Sequence, residues 1–265
     1  MEIFPSVSVS CTSLSETILV KALELAKYLG LPFYLPGESS ARYILTLTDN
    51  RLELGPNPCY TEGRSIFNPI SVDFLSGSVA YRHARNCTIK QPLARAVGIR
   101  SGFRPVILDA TAGLGSDSFV LACLGCQVFM HERSKVIAAL LADGMARAKA
   151  DPAIGAIVGT RMELIPCDSL IALQSIAPPP FTIYLDPMYP HSAKSALNKK
   201  EMRMIRDIVG DDLDSDELLA AALNIATNRV VVKRPKGAEH LGGKKPSHDI
   251  AMKNSRFDVY LTHHL

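Results

Sequence analysis

From Pro105 onward, short apolar runs rich in β-branched residues alternate with longer stretches in which apolar residues recur every three to four positions. The first pattern is that of buried strands and the second that of amphipathic helices, and their alternation predicts a parallel sheet wound with helices, an α/β fold. Strands are expected over Val106–Asp109, Gln127–Glu132, Glu163–Asp168, Phe181–Asp186, Arg229–Lys233 and Phe257–Thr262. Helices are expected over Ser116–Leu124, Ser134–Lys149, Ser169–Ile176, Lys199–Val209 and Ser215–Ala226. In the second of these helices Ser134 is placed to cap the start, while Val136, Ile137, Leu140, Leu141 and Met145 share one face; Asp151-Pro152 should stop it.

The first hundred residues carry a different pattern. Ser15–Leu29 reads as an amphipathic helix closed by Gly30, and Tyr43–Thr48 with Leu52–Leu54 reads as a hairpin around Asp49-Asn50-Arg51. This is α+β material, so a boundary is expected near residue 95, giving an N-terminal α+β subdomain (1–95) with a possible role in RNA recognition and a main domain (96–265). Gln91–Ile99 should be a helix leading into the latter. No internal repeat or low-complexity stretch interrupts the chain, and Pro178-Pro179-Pro180 makes a stiff approach to a strand.

With 265 residues, 47% of them hydrophobic, the chain has enough apolar material for a sizeable core. No basic-then-apolar leader opens it and no apolar run reaches the ~18–20 residues that span a bilayer, so a cytoplasmic protein without a membrane partner is expected. Six scattered cysteines are expected to be reduced thiols. Cys123 and Cys126 form a C-x-x-C at the apolar end of a helix with no second pair to complete a metal site, and no metal is expected.

The net charge of +3 decides little, but its distribution is uneven. Lys194, Lys199, Lys200, Arg203 and Arg206 cluster, as do Lys233, Arg234 and Lys236, then Lys244 and Lys245; Arg82, Arg85, Arg95, Arg100 and Arg104 form a looser group upstream. Such clusters suit either a solvated face or a polyanion-binding surface. Lys194, Lys199, Lys200, Arg203, Lys233 and Arg234 are the candidate RNA contacts.

The most informative segment is Val106-Ile-Leu-Asp109-Ala-Thr-Ala-Gly113-Leu-Gly115-Ser116-Asp117. A buried strand ends in an acid and a glycine-bearing turn leads into a helix, which lets backbone approach a ligand at the carboxyl edge of the sheet. A dinucleotide fingerprint would need glycine where the chain has Ser118, and a Walker loop would need a Gly-Lys-Ser/Thr that does not follow. S-adenosylmethionine carries a sulfonium, an amino-acid group, a ribose and an adenine, so its site should present acids at successive strand ends. Glu132 ends the second strand, where a carboxylate can accept the ribose hydroxyls, and Asp168 ends the third, near the adenine amino group. The candidate cofactor residues are Asp109, Gly113, Gly115, Ser116, Asp117, Glu132, Arg133, Asp168, Ser169 and Asp186.

The fourth strand runs into Asp186-Pro187-Met188-Tyr189-Pro190-His191. An exocyclic amine is a poor nucleophile because its lone pair is delocalised into the ring, so the enzyme must hold the nitrogen in line with the methyl group and accept its hydrogens. The carboxylate of Asp186 and the carbonyl of Pro187 could accept them while Tyr189 stacks on the base; His191 is a weaker candidate as a late proton acceptor. The turn resembles the (D/N)-P-P-(Y/F) signature of amino-methyltransferases, with Met188 in place of the second proline.

Taken with Lys194–Arg203 and Val230-Val-Val-Lys-Arg-Pro235, these motifs resemble the RsmJ family of small-subunit ribosomal RNA guanine-N2 methyltransferases, over about Ile66 to Tyr260. The resemblance implies a class I (Rossmann-like) methyltransferase fold, S-adenosylmethionine as donor, and ribosomal RNA or the small ribosomal subunit as partner, with a guanine amino group near the 3′ end of that RNA as acceptor. It places cofactor contacts on Ser116, Asp117, Glu132, Arg133, Asp168, Ser169 and Asp186. Where the family carries a glycine-rich basic stretch, Tyr81–Lys90 keeps the charge and lacks the glycines. Two other readings remain open at the level of sequence: N-methylation of another RNA base or a protein amide, and a nucleic-acid-binding module on a non-catalytic methyltransferase fold.

Overall fold

The computed structural model describes residues 6–60, 68–76, 88–188 and 199–262. The N-terminal region forms a three-stranded sheet, with β1 (Val7–Cys11) parallel to β2 (Tyr43–Leu47) and β2 antiparallel to β3 (Leu52–Pro56). Helix α1 (Glu16–Leu29) packs on it and ends as expected at Gly30, which takes the left-handed conformation (φ 68°) that closes a helix without a Cβ clash. β1 was not legible in the sequence: its serines point into protein, where Ser8 pairs with the Ser39 hydroxyl at 2.8 Å and Ser10 donates to the Tyr34 carbonyl at 2.9 Å.

The main sheet has seven strands: β4 (Ile107–Asp109), β5 (Val128–Glu132), β6 (Met162–Pro166), β7 (Thr182–Leu185), β8 (Arg229–Pro235), β9 (His248–Ala251) and β10 (Ser255–Leu261). Their spatial order is β6-β5-β4-β7-β8-β10-β9, parallel from β6 through β8, with β10 antiparallel to both its neighbours. After β4 the winding runs outward through β5 and β6, then returns to build β7 and β8 on the other side. The switch point therefore lies at the carboxyl ends of β4 and β7, the place where doubly wound sheets bind ligands.

Between the strands lie α2 (Pro92–Ala96), α3 (Ser116–Cys123), α4 (Lys135–Lys149), α5 (Gly155–Arg161), α6 (Ser169–Ala172), α7 (Lys199–Val209) and α8 (Ser215–Ile225). The expected helices from Gln91 and Ser169 are shorter than their apolar patterns suggested. α5 was missed because two glycines lower its helix propensity; Asp151 starts it by accepting from the amides of Ala153 and Ile154. The polar edge strand β9 was missed because it offers no apolar alternation.

Successive residues of the central strands enter opposite faces. Ile107, Tyr184, Val231 and Val259 belong to one core, and Leu108, Ile183, Val230, Val232 and Tyr260 to the other. The first core continues into the N-terminal sheet through Val7, Val9, Leu45 and Leu54. Close packing seals this junction at Gly144 on α4, where a Cβ would fall 2.4 Å from Val72 Cγ1; the Arg147 guanidinium also donates to the Val72 carbonyl. Among the described residues no helix is long and apolar enough to cross a membrane.

Candidate active site

The turn between β4 and α3 is stitched to strands on both sides. Ala110 N–H donates to the Tyr184 carbonyl on β7 and Ala112 N–H to the His131 carbonyl on β5, each at 3.0 Å. Gly113 (φ 53°) donates to Glu132 Oε2 at 2.9 Å, and the Asp186 amide donates to the Thr111 hydroxyl at 2.6 Å. Gly115 (φ 74°) holds a left-handed backbone that strains any residue with a side chain, and a Cβ there would press on Leu141 Cδ1 at 2.6 Å. Two left-handed glycines thus bring bare backbone to the rim of the switch point.

A cleft opens there, enclosing about 670 Å³ of empty space together with its mouth. It brings together Gly113, Glu132, Arg133, Asp168, Ser169 and Asp186 from the ends of four strands, as the sequence predicted. Glu132 is buried and spends one lone pair of each oxygen on a backbone amide, with Ser134 N–H at 2.7 Å from Oε1. A carboxylate has about four acceptor sites, so two remain for ligand hydroxyls. Burial raises its pKa, while the two amide donors and Arg133 pull it down. Asp168 caps α6 through the Leu170 amide at 2.8 Å, and Ser169 Oγ donates to the Ala110 carbonyl at 2.7 Å, tying the end of β6 to the glycine turn.

Other predicted residues stand behind the wall instead of on it. Asp109 is buried under the turn, accepting from Ser118 Oγ at 2.5 Å and from the Thr111 amide at 3.2 Å, and its pKa is pushed up to about 7 by burial, with the charges of Asp117 and Asp186 adding to the shift. Ser116 opens α3, and Asp117 accepts from the Tyr184 hydroxyl at 2.7 Å.

Two of the predicted RNA contacts are engaged within the protein. Lys233 Nζ bridges Asp117 Oδ2 and Asp186 Oδ2, both at 2.8 Å, and these carboxylates hold its pKa above the usual lysine value despite burial. Arg234 is buried and donates to the Glu239 carbonyl, bracing the loop after β8. Their position inside a strand, where alternate side chains enter the two cores, explains the difference from the sequence expectation. Arg203 is exposed on α7. Tyr189, His191, Lys194, the Tyr81–Cys87 part of the basic stretch and the side chains of Lys199 and Lys200 lie outside the described residues.

The far wall was not foreseen. α7 turns Ile205 and Val209 toward the cleft, and the loop after it contributes Asp212 and Asp214. Arg133 donates to both of these carboxylates, with Asp214 at 2.9 Å, and Asp212 also accepts the Met188 amide. Strand-end logic could not find these acids because they follow a helix; the run Asp211-Asp212-Leu213-Asp214 was the available signal.

The carboxyl-edge acids, the left-handed turn and the apolar wall fit S-adenosylmethionine, whose ribose, amino-acid group and adenine require those acceptors and that surface. The family model described as "Putative SAM-dependent methyltransferase" matches residues 25–262. Proteins named ribosomal RNA small subunit methyltransferase J are similar along nearly the whole chain: that of Desulfotalea psychrophila is 50% identical, covering 95% of each chain, and that of Thioalkalivibrio sulfidiphilus is 51% identical, covering 94% of this chain and 95% of its own.

The chain belongs to the ribosomal RNA small subunit methyltransferase J family.

Membership in this family makes it an S-adenosylmethionine-dependent methyltransferase, and the sheet order is that of the class I, Rossmann-like fold. The same fold appears in the crystal structure of a SAM-dependent methyltransferase from Neisseria gonorrhoeae, with a TM-score of 0.74 and 29% identity over 98% of this chain and 97% of that one.

Proposed function

We propose that this member of the methyltransferase J family methylates the exocyclic N2 amine of a guanine in small-subunit ribosomal RNA, in the cytoplasm. The observation that carries the reading is the position of Asp186. It directly follows β7 at the switch point, shares one cleft with Glu132 and Asp168, and leaves 38% of its side chain open to solvent. Its relatives' common name supplies the RNA class.

When bound, S-adenosylmethionine supplies an electrophilic methyl group on a sulfonium. Glu132 would hold the ribose hydroxyls on its two remaining acceptor sites, the Gly113 turn and Asp168 would bound the rest of the nucleoside, and Ile205 and Val209 would keep water from its apolar side. The Asp186 carboxylate and the Pro187 carbonyl accept the hydrogens of the incoming amine and so fix its lone pair toward the methyl group. Asp186 does this as an anion. Its partial burial and the charges of Asp117 and Asp212 raise its pKa, and Lys233, 2.8 Å away, opposes them. Arg203 with Lys199 and Lys200 places positive charge on the helix that closes the cleft, where it attracts the RNA backbone.

The test is methyl incorporation into ribosomal RNA from cells lacking the enzyme, with the product located by mass spectrometry. N2-methylguanine in the small-subunit RNA is expected; product on an adenine or on a protein would overturn the base assignment. Asp186→Ala should abolish turnover and leave RNA affinity within about twofold.

A further inference from the structure

A second cleft opens at the opposite, amino edge of the main sheet, lined by Arg95, Arg100 and Arg229 together with Gly98, Asn228 and Thr262. Arg229 is held in place there. Its Nε donates to Asn228 Oδ1 at 2.8 Å and its Nη1 to the Ala96 carbonyl at 3.2 Å. The guanidinium lies against Gly98, a left-handed residue (φ +88°) where a Cβ would come within 2.9 Å of Cζ. Of its five N–H donors, these bonds use two. Arg100 rests over the Phe103 ring, 5.2 Å from its centroid, and Arg95 is exposed on the last turn of α2.

No carboxylate lines this cleft among the described residues. Among the described residues Arg229 thus meets the charge of Arg100 with no carboxylate beside it in the cleft, and burial and then that charge lower its pKa. An anion entering between them relieves that repulsion and meets planar N–H forks, which match phosphate oxygens two at a time. A preformed guanidinium flanked by two more exposed ones is thus a receptor for a tetrahedral oxyanion.

We propose that this cleft binds a backbone phosphate of the substrate RNA at a nucleotide remote from the modified base; the inference rests on the RNA reading above. The geometry sets the separation. Arg229 and Lys233 lie on the same face of β8, four residues apart, which is about 13 Å along a strand. A phosphate at Arg229 therefore belongs to a part of the RNA several steps away from the base held at Asp186, and the cleft acts as a second anchor that fixes the register of the substrate across the protein.

The experiment uses the full chain carrying Arg95→Gln and Arg100→Gln, with Arg229 left intact because it also braces the end of α2. Binding of a small-subunit ribosomal RNA fragment is measured across a salt series, beside binding of S-adenosylmethionine and steady-state methyl transfer. The double variant should bind the RNA about tenfold more weakly, with a log K against log salt slope shallower by roughly 0.7, the loss of one single-strand phosphate contact. KM for RNA should rise with kcat and cofactor affinity unchanged. The Arg95→Lys, Arg100→Lys variant should restore the slope. RNA affinity and slope equal to wild type in the glutamine variant would overturn the anchor alone, as would a lysine variant as impaired as the glutamine one. A wild-type protein that binds no ribosomal RNA would remove both the anchor and the RNA reading beneath it.

Discussion

Lys233 Nζ stands 2.8 Å from Asp186 Oδ2, and the same ammonium meets Asp117 Oδ2 at an equal distance. The reacting turn and the helix behind the glycine turn are therefore joined by one cation. Without it, Asp186 and Asp117 would face each other as two carboxylates, and the proton affinity of the pair would rise.

Lys233→Met should accordingly move the acid limb of the kcat/KM profile to higher pH. The sign follows from Lys233 lowering the pKa of Asp186 while burial and the neighbouring acids raise it. Only the anionic form accepts both the amine hydrogens and a restraining cation, so activity at pH 6 should fall more than activity at pH 9. A pH–rate profile checks this, and a uniform loss across the range would contradict it.

Glu132→Gln should weaken S-adenosylmethionine binding about 10- to 100-fold. The amide retains one acceptor oxygen, while the carboxylate uses both, on Gly113 N–H and Ser134 N–H, before it meets the ligand. Isothermal titration calorimetry measures the loss, and part of it should appear as disorder of the 110–115 turn in the ligand-free variant.

Asp109 makes wild-type stability depend on pH in a defined direction. Its pKa of about 7 in the folded state lies above the unfolded value near 3.9, so the native state binds more protons between those limits and stability falls as pH rises through that window. Asp109→Asn removes this dependence. Relative to wild type, the variant should gain stability on going from pH 5 to pH 8, by on the order of 2 kcal/mol, in urea unfolding at the two pH values.

Tyr43 on β2 donates to Asp207 on α7 at 2.5 Å, and Arg42 pairs with the same carboxylate at 3.2 Å. Burial first, then Asp207, pushes the phenol up to about 12, so it stays a donor throughout the neutral range. Since α7 supplies Ile205 and Val209 to the cofactor cleft, Tyr43→Phe should lower S-adenosylmethionine affinity about two- to tenfold by loosening that wall. Calorimetry reads this directly, at a site outside the cleft itself.

The winding of the main sheet was legible because each central strand is an apolar run and each following helix is periodic. The acids at strand ends could be read for the same reason: once a strand is placed, its last residue is placed with it. Glu132 and Asp168 came out on one cleft by that logic. Asp109 ended its strand too, yet its side chain turns toward Ser118 beneath the loop, a choice made by packing that no spacing reveals. Lys233 and Arg234 looked like surface cations because sequence clustering ignores strand alternation, which sends Lys233 to Asp186 and Arg234 into the protein. Asp212 and Asp214 stayed hidden because they meet the site from a loop whose position depends on how α7 docks on the N-terminal sheet.

The absent side chain at Gly144 has a consequence for protein engineering. Because Val72 occupies the space a Cβ would need, the segment that carries it and α4 are matched surfaces, and the apolar interior beneath them has no seam. Chimeras that swap the leading third of this enzyme for that of a relative must transplant the 72–144 contact intact, because both sheets draw on that one core.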